Sequence, residues 1–157
     1  MIEQAIEQYA LGASVPLRGI AGLTREELLA FPVPGTWSIQ QIVLHLMDSD
    51  LVASDRMKRV IAEDKPLLLN YDENLFTARL HYEELDAQQA VELFRLNREL
   101  TANILRRLPP ADFERVGIHT QAGIKSLLDL VQGYISHLEG HMFHLRHKRE
   151  LLGKRLN

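Results

Sequence analysis

Cysteine is absent from the 157 residues, which excludes disulfides, thiolate metal sites and a cysteine nucleophile. Proline and glycine are sparse, at 6 and 9 residues, so long helices meet few interruptions. No stretch approaches the roughly 18 consecutive apolar residues of a membrane span. The N-terminus, Met1-Ile2-Glu3-Gln4-Ala5-Ile6-Glu7, lacks the basic start and apolar run of a signal peptide. A cytoplasmic protein with no membrane partner is expected. An excess of positive charge is missing too: 18 Lys+Arg stand against 21 Asp+Glu, a net charge of -3, which argues against a nucleic-acid partner. With 46% hydrophobic residues the chain is not a disordered one. Its length predicts one domain, residues 1–157, able to bury roughly two-thirds of its unfolded surface.

Several reactive motifs are also absent. There is no Glu-x-x-His of a di-iron bundle and no His-Glu-x-x-His of a zincin. Neither a Gly-x-Ser-x-Gly elbow, nor a Walker A loop, nor Gly-x-Gly-x-x-Gly occurs.

What is present is helical spacing between a few breaks. Ile2, Ile6 and Tyr9 predict a first helical segment over 2–20, bent or interrupted at Gly12 and Pro16. Thr24 to Glu27 reads as a capping box before a short helix that ends ahead of Pro32. Ser38 and Gln41 form a second box, opening a long helix over 38–63 with Ile39, Ile42, Val43, Leu46, Ala53, Met57 and Val60 on one face. Residues 67–83 are a connector with a short helix around Glu73 to Leu80. Asp86 caps a helix through Leu108, whose apolar face is interrupted by Asn97. Ser126, with Asp129 three residues on, caps the last helix, 126–152. No alternating strand pattern is visible. The expected fold is all-α: a bundle of four long helices with short connectors.

The unusual residue is histidine, with 7 copies. On the wheel of the last helix, with His137 at zero, His141 falls about 40° to one side and His144 about 20° to the other. The apolar residues of that helix, Leu127 to Met142, fill an arc from about 20° to 160°. His137 and His141 therefore sit at the inner margin of the buried face. His45 has the same marginal position on its own helix, whereas His147 falls on the polar side. Histidines at i and i+4 stack one above the other, with Cβ atoms about 5–6 Å apart. Two such imidazoles, with a third from a facing helix, make a three-nitrogen site with an open position, the pattern of a catalytic metal. The alternative is a set of imidazoles satisfied by carbonyls, carboxylates and water. His81 and His119 lie in connectors and read as surface; His144 reads as rim.

These residues carry a resemblance. Gly35-Thr36-Trp37-Ser38-Ile39 followed by His45-Leu46 resembles the start of the second helix in the DinB-like superfamily, which includes YfiT-like proteins. His137-x-x-x-His141 is similar to that family's paired histidines, and Gly22 to Leu28 to its lead-in. The resemblance implies a four-helix bundle with a long crossover, commonly a homodimer. It also implies one divalent transition metal (nickel, zinc, iron or manganese) held by His45, His137 and His141. The implied activity is thiol S-transfer to small electrophiles, with the metal activating thiol or water. The alternatives are a metal-dependent hydrolase or a non-catalytic metal- or ligand-binding bundle. The implied partner is a small-molecule substrate, including a low-molecular-weight thiol.

Around that triad, Tyr134 is a candidate to hydrogen-bond substrate, and Asp48 to orient an imidazole. Asn97 reads as a core amide satisfied by a neighbouring helix, and Trp37 as packing at the start of its helix. Asn70 to Glu73 reads as a turn, and Arg95 and Arg98 as solvated. Gly133, Ser136 and Gly140 read as an edge for close helix approach, and the basic residues from Arg146 to Arg149 as complement to the helix dipole.

Overall fold

A computed structural model describes residues 1–157. The four long helices are α1 (Ile2–Leu11), α4 (Ile39–Ala62), α6 (Ala87–Leu105) and α7 (Leu127–Leu151). Short helices α2 (Val15–Gly19), α3 (Arg25–Leu29) and α5 (Glu73–Arg79) lie in the connections. Both α1 and α4 pack on α6 and on α7, which puts α1 and α4 at opposite corners of a four-helix bundle. No helix is long and apolar enough to cross a membrane.

The helix starts follow the capping chemistry. The Ser38 amide donates to Gln41 Oε1 at 3.0 Å and the Gln41 amide to Ser38 Oγ at 3.1 Å. Ser126 and Asp129 repeat the exchange at 2.9 and 3.0 Å, and Thr24 with Glu27 opens α3 the same way. These reciprocal bonds satisfy amides that a helix start leaves without partners. They also fix where α4 and α7 begin, and so the turn on which each histidine sits.

The connectors contain a small sheet that alternation did not reveal. Strand β1 (Leu67–Leu68) pairs parallel with β2 (Val116–His119), and β2 pairs antiparallel with β3 (Gly123–Ser126). The strands are two to four residues long, too short to display a period of two. Gly117 lets β2 press against α4: a Cβ there would lie 2.8 Å from Leu68 Cδ1 and 3.0 Å from Val60 Cγ2. Arg115 closes the end of α4, its Nε and Nη2 donating to the carbonyls of Val60 and Glu63 at 2.9 and 2.8 Å.

The core falls into two apolar clusters. One joins Ile39 to Leu46 of α4, Ala87 to Phe94 of α6 and Leu138 to Leu145 of α7. The other joins α1, Met57 and Val60 of α4, Ala102 and Leu105 of α6, and Leu127 to Val131 of α7. Between them runs a polar layer. Asp50 of α4 accepts from Arg98 Nε of α6 at 2.9 Å, with both side chains almost fully buried. Asn97 Nδ2 donates to Asp50 Oδ2 at 2.9 Å, and Ser54 Oγ donates to Asn97 Oδ1 at 3.0 Å. Asn97 is thus satisfied by a neighbouring helix, as the sequence implied, though it is half-buried. Arg98, expected in solvent, is instead 1% exposed. Its guanidinium lies over the rings of Tyr9 and Phe94, at 4.4 and 4.8 Å from their centroids. Its Nη2 donates to the carbonyl of Tyr134, one turn before His137. Arg95 is the surface residue, paired with Glu92 and Glu99. Burial pushes the Asp50 carboxyl upward, against the lowering effect of Arg98.

Candidate metal centre

At one margin of the polar layer α4 and α7 bring His45, His137 and His141 together. His45 is 1% exposed, while His137 and His141 are half-buried. Nε2 of His45 lies 3.1 Å from Nε2 of His137. The His141 ring is centred 4.6 Å from His45 and 4.5 Å from His137. One nitrogen of each ring lies within 4.8 Å of those of the other two. Trp37, just before α4, lies parallel to His141 with centroids 6.0 Å apart, and 4.9 Å from the centroid of His45. Its ring is a wall of the cluster as well as packing at the helix start.

Two imidazole nitrogens 3.1 Å apart attract only if one carries a proton and the other does not. Protonating both places two cations in contact in a desolvated space. Burial, then the charges of His141 and His137, accordingly push His45 down to about 3. Burial, His141 and Arg98 push His137 down to about 4. His141 is lowered by burial and by His144. All three rings are therefore neutral at neutral pH, the form that offers a lone pair to a cation. Nitrogens bound to one ion at about 2.0–2.1 Å are at most roughly 4.1 Å apart. The 3.1 Å separation of His45 and His137 is within that limit, and His141, within 4.8 Å of both, stands close enough to join them on a divalent transition metal with a small ring adjustment. Nδ1 of His45 is buried without a partner. Its ring is oriented by packing against Trp37 and the other imidazoles, not by a carboxylate relay.

A carboxylate reaches the cluster from the connector between α4 and α6. Asp72 caps α5, its Oδ1 accepting from the Leu75 amide at 3.0 Å, and Glu73 opens that helix. Glu73 Oε2 then stands 3.5 Å from His45 Nε2 with its side chain 49% exposed. No spacing rule points to it, because a short helix in a long connection brings it there. Asp48 is committed elsewhere: it accepts from the Tyr82 hydroxyl at 2.6 Å, and no hydrogen bond ties it to a cluster histidine. The Tyr134 ring is 6.0 Å from that of His137, and its hydroxyl accepts from Arg56 Nη1 at 2.8 Å. Burial raises the Tyr134 phenol, and the Arg56 cation opposes the shift. Arg56 escaped the sequence reading although it follows His45 by eleven residues, about three turns, and so shares its face.

The other histidines lie apart. His81, His144 and His147 are exposed. His119 Nδ1 accepts from the amides of Gln121 and Ala122 and closes the β2–β3 turn. Gly133, Ser136 and Gly140 are exposed, and a Cβ at either glycine would meet nothing. No helix of this chain approaches them. Of the basic residues at the end of α7, Lys148 and Arg149 are buried, and Arg149 Nη1 donates to the carbonyls of Gly19 and Ala21.

Comparison with known proteins bears on this arrangement. The family model of the DinB superfamily matches residues 17–145. A protein of Oceanobacillus iheyensis named "Putative metal-dependent hydrolase" is 29% identical over 126 residues, 80% of this chain and 73% of that one. One of Bacillus licheniformis bearing the same name is 29% identical over 139 residues, 87% and 79% of the two chains. Among solved structures, YfiT from Bacillus subtilis, described as a probable metal-dependent hydrolase with an unusual four-helix bundle topology, superposes with a TM-score of 0.90. It is 22% identical, and the match covers 97% of this chain and 87% of that one.

Proposed function

This chain belongs to the DinB superfamily, and we propose that it is a metal-dependent hydrolase of a small molecule. Its divalent transition metal would be held by His45, His137 and His141. The observation that carries this reading is the convergence of three neutral imidazoles on one point, beside a half-exposed carboxylate. A divalent ion there would supply Lewis acidity, polarising a carbonyl or making a nucleophile more acidic.

The side chains around it have separable tasks. Glu73 Oε2, anchored through α5, is close enough to take the proton released by an attacking water. The Tyr134 hydroxyl accepts from Arg56 and so keeps its own proton to donate to a substrate oxygen. Trp37 covers His45 and His141 and keeps bulk water from that side. A low-molecular-weight thiol in place of water would make the same site an S-transferase, the chemistry the resemblance first implied.

The test is elemental analysis of protein purified without a histidine tag. About one equivalent of transition metal per chain is expected in the native protein. His45→Ala and His137→Ala should each lose it while keeping a helical circular dichroism spectrum. Stoichiometric metal in both variants overturns the three-ligand assignment. With the metal identified, product analysis of ester, amide and thiol-plus-electrophile mixtures separates hydrolysis from S-transfer.

A further inference from the structure

Arg56 is 8% exposed and has no counter-ion. Its Nη1 donates to the Tyr134 hydroxyl and its Nη2 to the Leu69 carbonyl, while its Nε is buried with no acceptor at all. Its neighbours on α4 and in the connector do not neutralise it: Asp55 is paired with Arg59 at 2.8 Å, and Glu63 with the same arginine at 3.3 Å. The other buried guanidinium groups are better supplied: Arg98 has Asp50, and Arg149 has three carbonyls. A guanidinium taken out of water without an anion is costly, and the cost falls when a ligand supplies the missing charge.

The space beside Arg56 suits such a ligand. A cleft of about 740 Å³ opens between α4 and β1; Leu51, Val52, Leu67, Leu69 and Tyr71 form its apolar wall, and its polar groups are Arg56, Asn70 and the mutually paired Asp55 and Arg59. That volume is in the range of small-molecule sites, and an apolar wall with a few fixed polar groups is their usual make-up. Leu67 and Leu69 are 60% and 66% exposed, so the apolar wall is open to a ligand. Two side chains of the cleft's lining lead toward the histidine cluster. Arg56 holds Tyr134, whose ring is next to His137, and Tyr71 packs at 4.7 Å on Phe76 of α5, the helix that carries Glu73.

We infer that this cleft is a subsite for the anionic end of the substrate, a carboxylate on a short apolar chain, with Arg56 as its counter-ion. The placement of the reacting bond rests on the reading of the histidine cluster given above: an anion at Arg56 leaves the rest of the molecule running past Tyr134 toward His137 and Glu73. The subsite itself does not depend on that reading.

Two probes of equal length test it: hexanoate and hexanamide, titrated into metal-free protein and followed by amide and arginine Nε resonances. Hexanoate should shift Leu69, Asn70, Tyr71 and Arg56 Nε, with an affinity at least about tenfold above hexanamide, the worth of one charge-assisted contact. Arg56→Gln should abolish that preference. Because this variant also loses the bonds to Tyr134 and Leu69, Leu67→Glu is the companion. It places a carboxylate at the exposed mouth of the cleft, leaves Arg56 intact, and should weaken hexanoate alone. Equal affinity for the two probes, or shifts confined to other basic surfaces, overturns the subsite. His45→Ala should keep the hexanoate preference, so loss of metal binding and loss of anion binding are read separately.

Discussion

His45 Nε2 and His137 Nε2 lie 3.1 Å apart although 92 positions separate them in the chain. The contact crosses from α4 to α7 at the edge of the polar layer that divides the core. It cannot survive protonation of both rings, and that makes it sensitive to acid.

The pH dependence has a definite sign. His45 and His137 titrate near 3 and 4 in the folded protein, below the ordinary 6.5. The unfolded chain therefore takes up their protons first, and their neutral burial costs stability as pH falls below about 6.5 toward 4. At about 1.4 kcal/mol per pH unit per group, the metal-free protein should lose roughly 2–4 kcal/mol between pH 7 and pH 5. Urea unfolding at the two pH values measures it. Equal stabilities would mean the rings are far better hydrated than their burial implies.

The Arg98–Asp50 pair should behave as a buried ion pair. Arg98→Met leaves Asp50 without its counter-ion and frees the Tyr134 carbonyl, and should cost about 3–5 kcal/mol. The double variant Arg98→Met/Asp50→Asn should recover part of that loss, since the stranded charge is gone. A double-mutant cycle by chemical denaturation gives the coupling; purely additive losses would contradict the pairing.

Glu73→Gln separates chemistry from architecture. Glu73 is half-exposed and makes no structural hydrogen bond through its side chain. Stability should stay within about 0.5 kcal/mol, and bound metal should stay at its native stoichiometry. Turnover of a p-nitrophenyl ester by the metal-loaded protein should fall roughly 10²–10⁴-fold, the usual worth of a general base. Unchanged turnover would remove Glu73 from the mechanism.

Gly117→Ala tests the sheet's contact with the bundle. Its Cβ would meet Leu68 and Val60 at 2.8 to 3.0 Å, and such overpacking costs about 1–3 kcal/mol. A melting temperature equal to that of the native protein would show that β2 can move away from α4 freely.

Much of this was readable from the amino acids alone. The Ser38/Gln41 and Ser126/Asp129 boxes marked where α4 and α7 begin, because capping is chemistry between residues three apart. With those starts known, helical periodicity carried His45, His137 and His141 to inward margins. What escaped depends on parts of the chain far apart. Strand β1 exists because Leu67 and Leu68 meet Ile118 and His119, a pairing no local pattern encodes. Arg98 is buried because Asp50 waits on α4. Its spacing four residues after Phe94 and seven before Leu105 did place it on the apolar face, so that clue was available. Glu73 reaches His45 only through the path of the connection that carries it.

The order in which the three imidazoles leave the ribosome has a consequence of its own. His45 emerges with α4, and His137 and His141 follow with α7 after α6 has been made. Until α7 is made the nascent chain holds one member of the trio, and a product cut or stalled before α7 holds no more. The cluster therefore comes into being only when α7 has docked against α4.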